Sequence, residues 1–242
     1  MALISTAQVE QFRQQGFVAI GRLVDRDVVA ELRQAYDELL EHGATGAGTR
    51  DSRLGGLTRQ IVFPERSHPL FRDNPALEAG REVARALRGW AEPAYFYSQL
   101  LFKPPGHPHA TPWHQDDAYG AMPVAAAGTP LSHATLQFWL AIDDADVDNG
   151  CMHFHPPPSG DRLLPHRVAA GDPTADDRLL GLEDEAACID PAAVVACPLD
   201  PGGATVHDSG ALHYTPPNRS TRPRRAYIFN FADPRFVARI AS

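Results

Sequence analysis

The sequence has few of the features that mark disulfide-rich, nucleic-acid-binding or membrane proteins. It contains only 3 cysteines, Cys151, Cys188 and Cys197, an odd number without a C-x-x-C spacing, which argues against a disulfide framework and a structural zinc site. The net charge is -8 and no long basic block occurs, so we expect no nucleic-acid partner. No apolar run approaches the roughly 20 residues that a membrane-spanning helix requires, so we expect no membrane contact.

Capping residues and apolar periodicity in the first part of the chain predict helices. The N-terminal stretch lacks a basic start followed by an apolar run, so we expect no secretory signal and a reduced, cytoplasmic chain. Ser5 and Gln8 can form a capping box for a first helix that ends near Gln15, and Asp25 can cap a second helix. A third helix is predicted over about residues 75–90.

Beyond Pro93 the apolar periodicity changes to two, which indicates β-strands. In the segment 134–142 one strand face carries Leu136, Phe138, Leu140 and Ile142, and the other carries Thr135, Gln137 and Trp139. Such a strand can pack on helices with its apolar face and line a wet cavity with its polar face. Asn149-Gly150 predicts a hairpin turn before a strand at residues 152–154.

These patterns predict a mainly β protein with N-terminal helices, built as a β-sandwich or jelly roll. We expect a single domain over residues 1–242, with residues 1–92 as a mainly helical support and residues 93–242 as the jelly-roll core. The segments Gly43 to Gly56 and Gly171 to Ala187 lack apolar periodicity. We expect them to be mobile surface loops that act as lids.

The stretch PWHQDDAYG, residues 112–120, carries the first chemical signal. In an extended chain His114 and Asp116 project to the same face, so an imidazole and a carboxylate would form half of a metal site. A His-x-Asp triplet alone is a weak signal, and a solvated polar loop is the alternative. A facial triad of non-haem iron needs a second histidine from far along the chain. The downstream candidates are His153, His155, His207 and His213, among which spacing does not choose.

Several segments occur in a specific order: EQFRQQGFVAI, LLFKPPG, PWHQDDAYG, FWLAIDDADVDNGCMHF, LLPHR and LHYTPPNRSTRPRRAYIFNF. This ordered set resembles the phytanoyl-CoA dioxygenase family of Fe(II)- and 2-oxoglutarate-dependent oxygenases, over nearly the whole chain. The resemblance implies a double-stranded β-helix, a cupin-like jelly roll, with the N-terminal helices packed on its major sheet. It also implies Fe(II), 2-oxoglutarate and O2 as cofactor and co-substrates.

The resemblance implies that His114, Asp116 and His213 bind the metal, while His207 is a neighbour of the site. It further implies that Arg224 binds the distal carboxylate of 2-oxoglutarate, and a solvated basic turn is the alternative for this arginine. Three more residues match positions that touch the co-substrate in the family, with ordinary barrel lining as the alternative: Gln99, Trp139 and Thr215.

Other polar residues near these motifs have simpler interpretations. Lys103 shares a strand face with Gln99, and we expect it to extend from the barrel rim into solvent. We expect His107 and His109 to be solvated in a Pro-rich loop and Asp117 to be a turn residue. The chain departs from the family pattern after the distal histidine, at residues 214–216, and in the PPPSG stretch at residues 156–160, which we expect to reshape the cavity mouth.

The resemblance implies an enzyme that hydroxylates or otherwise oxidises an unactivated C–H bond and releases succinate and CO2. The alternatives are a non-oxidative metal-dependent isomerase or lyase on the same triad, and a binding module without turnover. Coenzyme A phosphates favour a basic rim, whereas this chain is acidic. We therefore expect a free small organic molecule, such as a secondary metabolite, as substrate, and leave the oligomeric state open.

Overall fold

The computed structural model describes residues 2–120, 127–156 and 161–240, and within them the chain is mainly β. The helices are α1 Thr6–Gln15, α2 Arg26–His42, α3 Pro75–Arg88, α4 Glu185–Cys188 and α5 Pro234–Ile240. The strands are β1 Phe17–Ile20, β2 Arg50–Leu54, β3 Thr58–Val62, β4 Ala94–Lys103, β5 Thr111–His114, β6 Thr135–Ala141, β7 Met152–His155, β8 His166–Ala170, β9 Leu179–Leu182, β10 Val195–Cys197, β11 Ala204–Asp208, β12 Leu212–Thr215 and β13 Arg224–Ala232.

Two antiparallel sheets form the jelly roll that the sequence predicts. The large sheet has 7 strands in the order β1-β11-β6-β13-β4-β3-β2, and the small sheet has 4 in the order β10-β7-β12-β5. A separate hairpin pairs β8 with β9. Apart from β2, β3 and β4, neighbouring strands in both sheets are not consecutive in the chain, so most of the pairing is long-range, as in a double-stranded β-helix. Among the described residues, no helix has both the length and the apolar character needed to cross a membrane.

The two faces of the large sheet have different partners. The apolar face of β6, with Leu136, Phe138 and Leu140, joins residues of α1, α2 and α3 in the main hydrophobic core. The opposite face, with Trp139, packs in a second core cluster with residues of the small sheet, including Phe154. The period-two pattern of β6 therefore places the helices on one side of the large sheet and the space between the sheets on the other.

Local signals explain where the helices begin and end. Ser5 and Gln8 form the predicted capping box of α1. Asp25 precedes α2 as predicted, but its side chain makes no capping hydrogen bond. Asn74 caps α3 by accepting from the backbone N–H groups of the second and third helical residues, and Gly89 ends this helix with a φ of 68°.

Two predicted loops contain strands. The segment 43–56 includes β2, an edge strand with a polar sequence that pairs with β3, so the prediction of a loop was wrong there. The segment 171–187 includes β9, whose four residues are all buried. The segment 1–92 also contributes β1, β2 and β3 to the large sheet, beside its helices. β1 and β3 pair with strands further along the chain, whereas β2 and β9 pair with the nearby strands β3 and β8 but lack the apolar alternation of a half-buried strand.

The Asn149-Gly150 turn does not form a hairpin, contrary to the sequence prediction. The strand before it, β6, pairs with β11 and β13 in the large sheet, whereas β7 after it pairs with β10 and β12 in the small sheet. Gly150 adopts a φ of 101°, and the Asn149 side chain bonds the backbone of Asp144 and Asp146. The turn thus takes the chain from one sheet to the other.

We predict that the close contact between α3 and the large sheet makes Gly80 intolerant of a side chain. A Cβ at Gly80 would lie 2.5 Å from a ring carbon of Phe229. Overpacking of this kind costs typically about 1–3 kcal/mol, and valine gains little helix propensity in return. Gly80→Val should lower the free energy of unfolding by about that amount in urea denaturation.

Gly21→Val is the matched control for this substitution. Gly21 has no atom within 4 Å of its added Cβ, so its variant should stay within about 0.5 kcal/mol of the wild type. Equal stability of the two variants would contradict the packing argument.

Candidate metal centre and cavity

The centre of the site lies where two neighbouring strands of the small sheet meet. His114 ends β5, His213 lies in β12, and the antiparallel register places these residues directly opposite each other. Opposite residues of paired strands project to the same face, and the two rings lie 4.1 Å apart between centroids. Asp116 begins the 3₁₀ turn that follows β5, so its carboxylate reaches the same face.

These three residues, hereafter the triad, converge on one point. Oδ1 of Asp116 lies 3.6 Å from Nε2 of His114 and 3.7 Å from Nε2 of His213. Each residue offers one ligand atom, and these atoms all lie within 4.8 Å of one another. Nδ1 of His114 donates to the Pro112 carbonyl at 2.7 Å, and Nδ1 of His213 donates to the Ala211 carbonyl at 2.9 Å. Both Nε2 lone pairs therefore face the centre, as a bound cation requires.

The electrostatics of the triad favour the forms that bind metals. Burial lowers the pKa of His213 well below its ordinary value, and the imidazoles of His114 and His207 lower it further. Burial by itself raises the pKa of Asp116, but the surrounding imidazoles, led by His213, outweigh burial and hold this pKa well below its usual range. The site thus presents an ionised carboxylate, the form that binds metals.

The other downstream histidines lie outside the triad. His207 in β11 lies beside the triad. Its Nε2 is 3.5 Å from Oδ2 of Asp116, and its ring centroid is 4.3 Å from that of His213. His153 packs against an aromatic ring on another part of the small sheet, and His155 accepts a backbone N–H. Within the described part of the chain, the triad is the one group with metal-ligand spacing.

Arg224 is a buried cation without a partner. It lies at the start of β13 with 0% of its surface exposed, and none of its three guanidinium nitrogens has a hydrogen-bond partner among the described residues. The guanidinium lies 5.2 Å from the ring centroid of Trp139, and burial lowers the pKa of Arg224 to about 10. An unpaired buried charge is costly, so this pocket favours an anion that would accept its hydrogen bonds.

Lys103 lies opposite Arg224 in the strand register and is also fully buried, so the prediction of a rim lysine was wrong. Its Nζ donates to the Thr215 carbonyl at 3.2 Å, to Oγ1 of Thr215 at 2.9 Å and to the Pro216 carbonyl at 2.7 Å. Burial, and secondly the charge of Arg224, lower the pKa of Lys103 well below its ordinary value. Lys103 therefore fixes the backbone after His213.

A cavity of about 440 Å³ connects the triad with the inter-sheet space. Its walls include Gln99, Trp139 and Thr215, the residues that the sequence suggested beside the triad. Sequence reasoning missed further lining residues, of which only Tyr119 lies in a motif with a metal signature: Arg50, Gln60, Phe63, Tyr97, Tyr119, Gln137, Asp176 and Arg178. Gln137 could have been found from the sequence, because it lies on the polar face of the predicted strand at residues 134–142.

Other residues near the motifs serve the fold. His107 was predicted to be solvated but is buried, and its Nε2 lies 2.9 Å from Oγ1 of Thr58. Asp117 accepts from the backbone and hydroxyl of Ser132, as expected of a turn residue. Of the stretch predicted to reshape the cavity mouth, residues 157–160 lie outside the described residues.

An ion pair crosses the cavity mouth between the two predicted lid segments. Nη1 of Arg50 in β2 lies 3.1 Å from Oδ2 of Asp176, which precedes β9, and both residues line the cavity. The backbone N–H of Gly55 donates to the Asp177 carbonyl at 2.6 Å. The two segments therefore contact each other.

Similar proteins share this fold. The structure matches EvdO2 from Micromonospora carbonacea var. aurantiaca, solved in complex with 2-oxoglutarate, with a TM-score of 0.74 and 33% identity over 95% of this chain and 91% of that one. It also matches SnoK, a non-heme alpha ketoglutarate dependent carbocyclase from nogalamycin biosynthesis, with a TM-score of 0.67 and 24% identity over 95% of this chain and 84% of that one. The second likeness shows the fold alone.

The sequence comparisons agree with this result. The phytanoyl-CoA dioxygenase domain-containing protein 1 of Bos taurus is 24% identical over 96% of this chain and 91% of its own length. The sequence profile of the family described as phytanoyl-CoA dioxygenase (PhyH) matches residues 12–226, which is most of the chain. Together with the jelly roll and the His-Asp-His cluster, this match shows that the chain belongs to the phytanoyl-CoA dioxygenase family.

Proposed function

We propose that this oxygenase couples the oxidation of 2-oxoglutarate to the oxidation, foremost the hydroxylation, of an unactivated C–H bond in a small organic molecule. The observation that carries the proposal is the joint presence of the triad and the unpaired guanidinium of Arg224 between the same two sheets. The triad supplies the ligands that Fe(II) prefers in such enzymes, and the guanidinium supplies the partner for a carboxylate.

The donor set fits Fe(II). His114, Asp116 and His213 would hold it through two imidazole nitrogens and one carboxylate oxygen, which leaves other positions open. When bound, the iron supplies the means to activate O2 as 2-oxoglutarate is oxidised to succinate and CO2, while the substrate C–H bond becomes C–OH. Because Asp116 is a carboxylate, the site leaves no ligand position for chloride, which favours hydroxylation over halogenation.

The second half of the cavity fits 2-oxoglutarate. Arg224 would bind its distal carboxylate; its guanidinium lies beside Trp139, which lines the cavity together with Thr215, Gln99 and the triad. EvdO2, which is 33% identical, was crystallised with 2-oxoglutarate. The buried position of Arg224 excludes water from the ion pair, which strengthens it and orients the keto acid toward the triad.

The remaining cavity suits a small substrate. Phe63, Phe96 and Tyr97 give its outer part an aromatic wall, while Arg50 is already neutralised by Asp176 at the mouth. Phe102 and Phe138 do not take part in this wall, because both pack on the helix side of the large sheet. The cavity lining carries two arginines, Arg50 and Arg178, and two aspartates, Asp116 and Asp176, so it has no excess of basic residues. This argues against a coenzyme A thioester and supports a free secondary metabolite.

The alternative is a non-oxidative isomerase or lyase that uses the same triad. Such an enzyme would not need Arg224 or 2-oxoglutarate. Addition of Fe(II) and 2-oxoglutarate without oxygen should produce a metal-to-ligand charge-transfer band if the proposal is correct. No band would favour the alternative.

We predict that the triad binds metal and that His207 does not. Asp116→Ala and His213→Ala should each weaken Fe(II) binding by more than about 100-fold, since changes to residues that only support a ligand already cost 10- to 100-fold. His207→Ala should weaken binding by no more than about 10- to 100-fold, because His207 faces Oδ2 and not the metal side of Asp116. Anaerobic Fe(II) titration measures all three. Loss of metal in His207→Ala with retention in His213→Ala would reverse the assignment.

We predict that Arg224→Leu weakens 2-oxoglutarate binding by roughly 30- to several-thousand-fold, since truncation of one partner of a buried ion pair costs about 2–5 kcal/mol. Fe(II) affinity should stay nearly unchanged, because Arg224 is not a member of the triad. Titration of the charge-transfer band with 2-oxoglutarate measures the effect.

Arg222→Leu is the control, because Arg222 is exposed and pairs with Asp146. Arg225 is unsuitable, since it joins Asp37 of α2 to Asp143 and its loss would affect stability. Equal 2-oxoglutarate affinity in Arg224→Leu and wild type would remove Arg224 from the co-substrate site.

We predict that the Arg50–Asp176 pair restrains the lid segments. The pair is half exposed, and exposed pairs contribute up to about 1 kcal/mol. Asp176→Asn should therefore increase amide hydrogen exchange in residues 50–54 and 179–182 by up to about fivefold, because 1.4 kcal/mol corresponds to tenfold. Asp172→Asn, in the same loop but without a bond to β2, is the control. Equal amide hydrogen exchange in both variants would show that the Arg50–Asp176 pair does not restrain these segments.

A further inference from the structure

The two oxygens of the Asp116 carboxylate lie in different surroundings. Oδ1 faces the Nε2 atoms of His114 and His213 at 3.6 and 3.7 Å. Oδ2 points to the large sheet, where Nε2 of Gln137 lies 2.6 Å away and Nε2 of His207 lies 3.5 Å away. One oxygen therefore faces the candidate metal position, and the other is held by protein hydrogen bonds.

The chemistry of the contacts fixes the orientation of the Gln137 side chain. A carboxylate oxygen and an amide oxygen are both acceptors, so the amide must present its NH2 group to Asp116. The same nitrogen lies 3.0 Å from Nε2 of His207. The two N–H bonds of one amide thus serve two acceptors, the Asp116 carboxylate and the His207 ring.

Gln137 lies in a central strand, whereas the carboxylate to which it donates follows the end of an edge strand. It lies in β6, between β11 and β13, opposite His207 on one side and Asn230 on the other, and is 6% exposed. The His207 ring behind it is fully buried and packs 5.3 Å from the Phe154 ring. The Asp116 side chain, in contrast, follows the end of a strand and is 25% exposed. A central strand therefore restrains a carboxylate at the edge of the other sheet.

We propose that Gln137 is a positioning residue that keeps Asp116 a ligand through Oδ1 alone. The inference rests on the proposed metal site. A carboxylate that turned to bind through both oxygens would take a further coordination position, one that the two donors of 2-oxoglutarate or the O2 molecule require. The hydrogen bond from Gln137 holds Oδ2 away from the metal and so keeps that position open.

Cobalt(II) binding tests this role without turnover, because visible absorption of cobalt(II) reports both affinity and coordination number. Gln137→Leu and Gln137→Met remove the amide with little change in volume. Both should bind Co²⁺ about 10- to 100-fold more weakly than wild type, and their absorption bands should change in position and intensity as Oδ2 joins the metal. Asn230→Leu is the control, because Asn230 is the buried register neighbour of Gln137 but bonds the Tyr97 carbonyl.

The outcomes separate this inference from the proposed function. Failure of the wild type to bind Co²⁺ would reject the metal site and the inference together. Wild-type binding with unchanged affinity and spectrum in both Gln137 variants would overturn the inference and leave the metal site standing. Loss of the folded state in both variants would make Gln137 a residue of the fold and would also overturn the positioning role.

Discussion

A cation buried without a partner is the constraint around which this molecule is arranged. Arg224 lies inside the barrel, and its guanidinium has the Trp139 ring beside it but no acceptor among the described residues. A globular protein gains no stability from such a charge, so the surrounding structure must support it for another purpose. Neighbouring Lys103 is fixed by three acceptors after His213, which leaves Arg224 as the free donor of the pair.

One face of the large sheet packs in the main hydrophobic core, and the other face carries residues of the proposed site. Its helix-facing residues, such as Phe138 and Phe229, stack against each other in the main core, with ring centroids 5.0 Å apart. Its opposite face carries Gln137, Trp139 and Arg224. Because strand side chains alternate, one set of strands can anchor the helices and shape the cavity at once. The next residue, Arg225, lies on the opposite face of the strand from Arg224, where its guanidinium pairs with the carboxylates of Asp37 and Asp143.

The sequence predicted those features that depend on local pattern and missed those that depend on distant partners. The alternation in β6, the capping box of α1 and the shared face of His114 and Asp116 follow from short stretches of chain. His213 came only from the family resemblance, because the register of β12 against β5 brings it to His114. The strands β2 and β9 were missed for another reason: their partners β3 and β8 lie nearby in the chain, but neither RDSRL nor LLGL shows the alternation of a half-buried strand. The burial of Lys103 depends on acceptors more than a hundred residues away.

The charges of the site link the proposed metal and the proposed co-substrate to each other. Fe(II) alone would add a divalent cation beside one carboxylate and one buried guanidinium, and 2-oxoglutarate alone would add a dianion to the same pair. Either ligand alone leaves a net charge in the cavity, whereas the charges of the two ligands cancel each other, as those of Asp116 and Arg224 do. Interactions between buried charges are weakly screened, so each ligand should stabilise the binding of the other. Coupling of this kind would arise from charge alone, without a change in the fold.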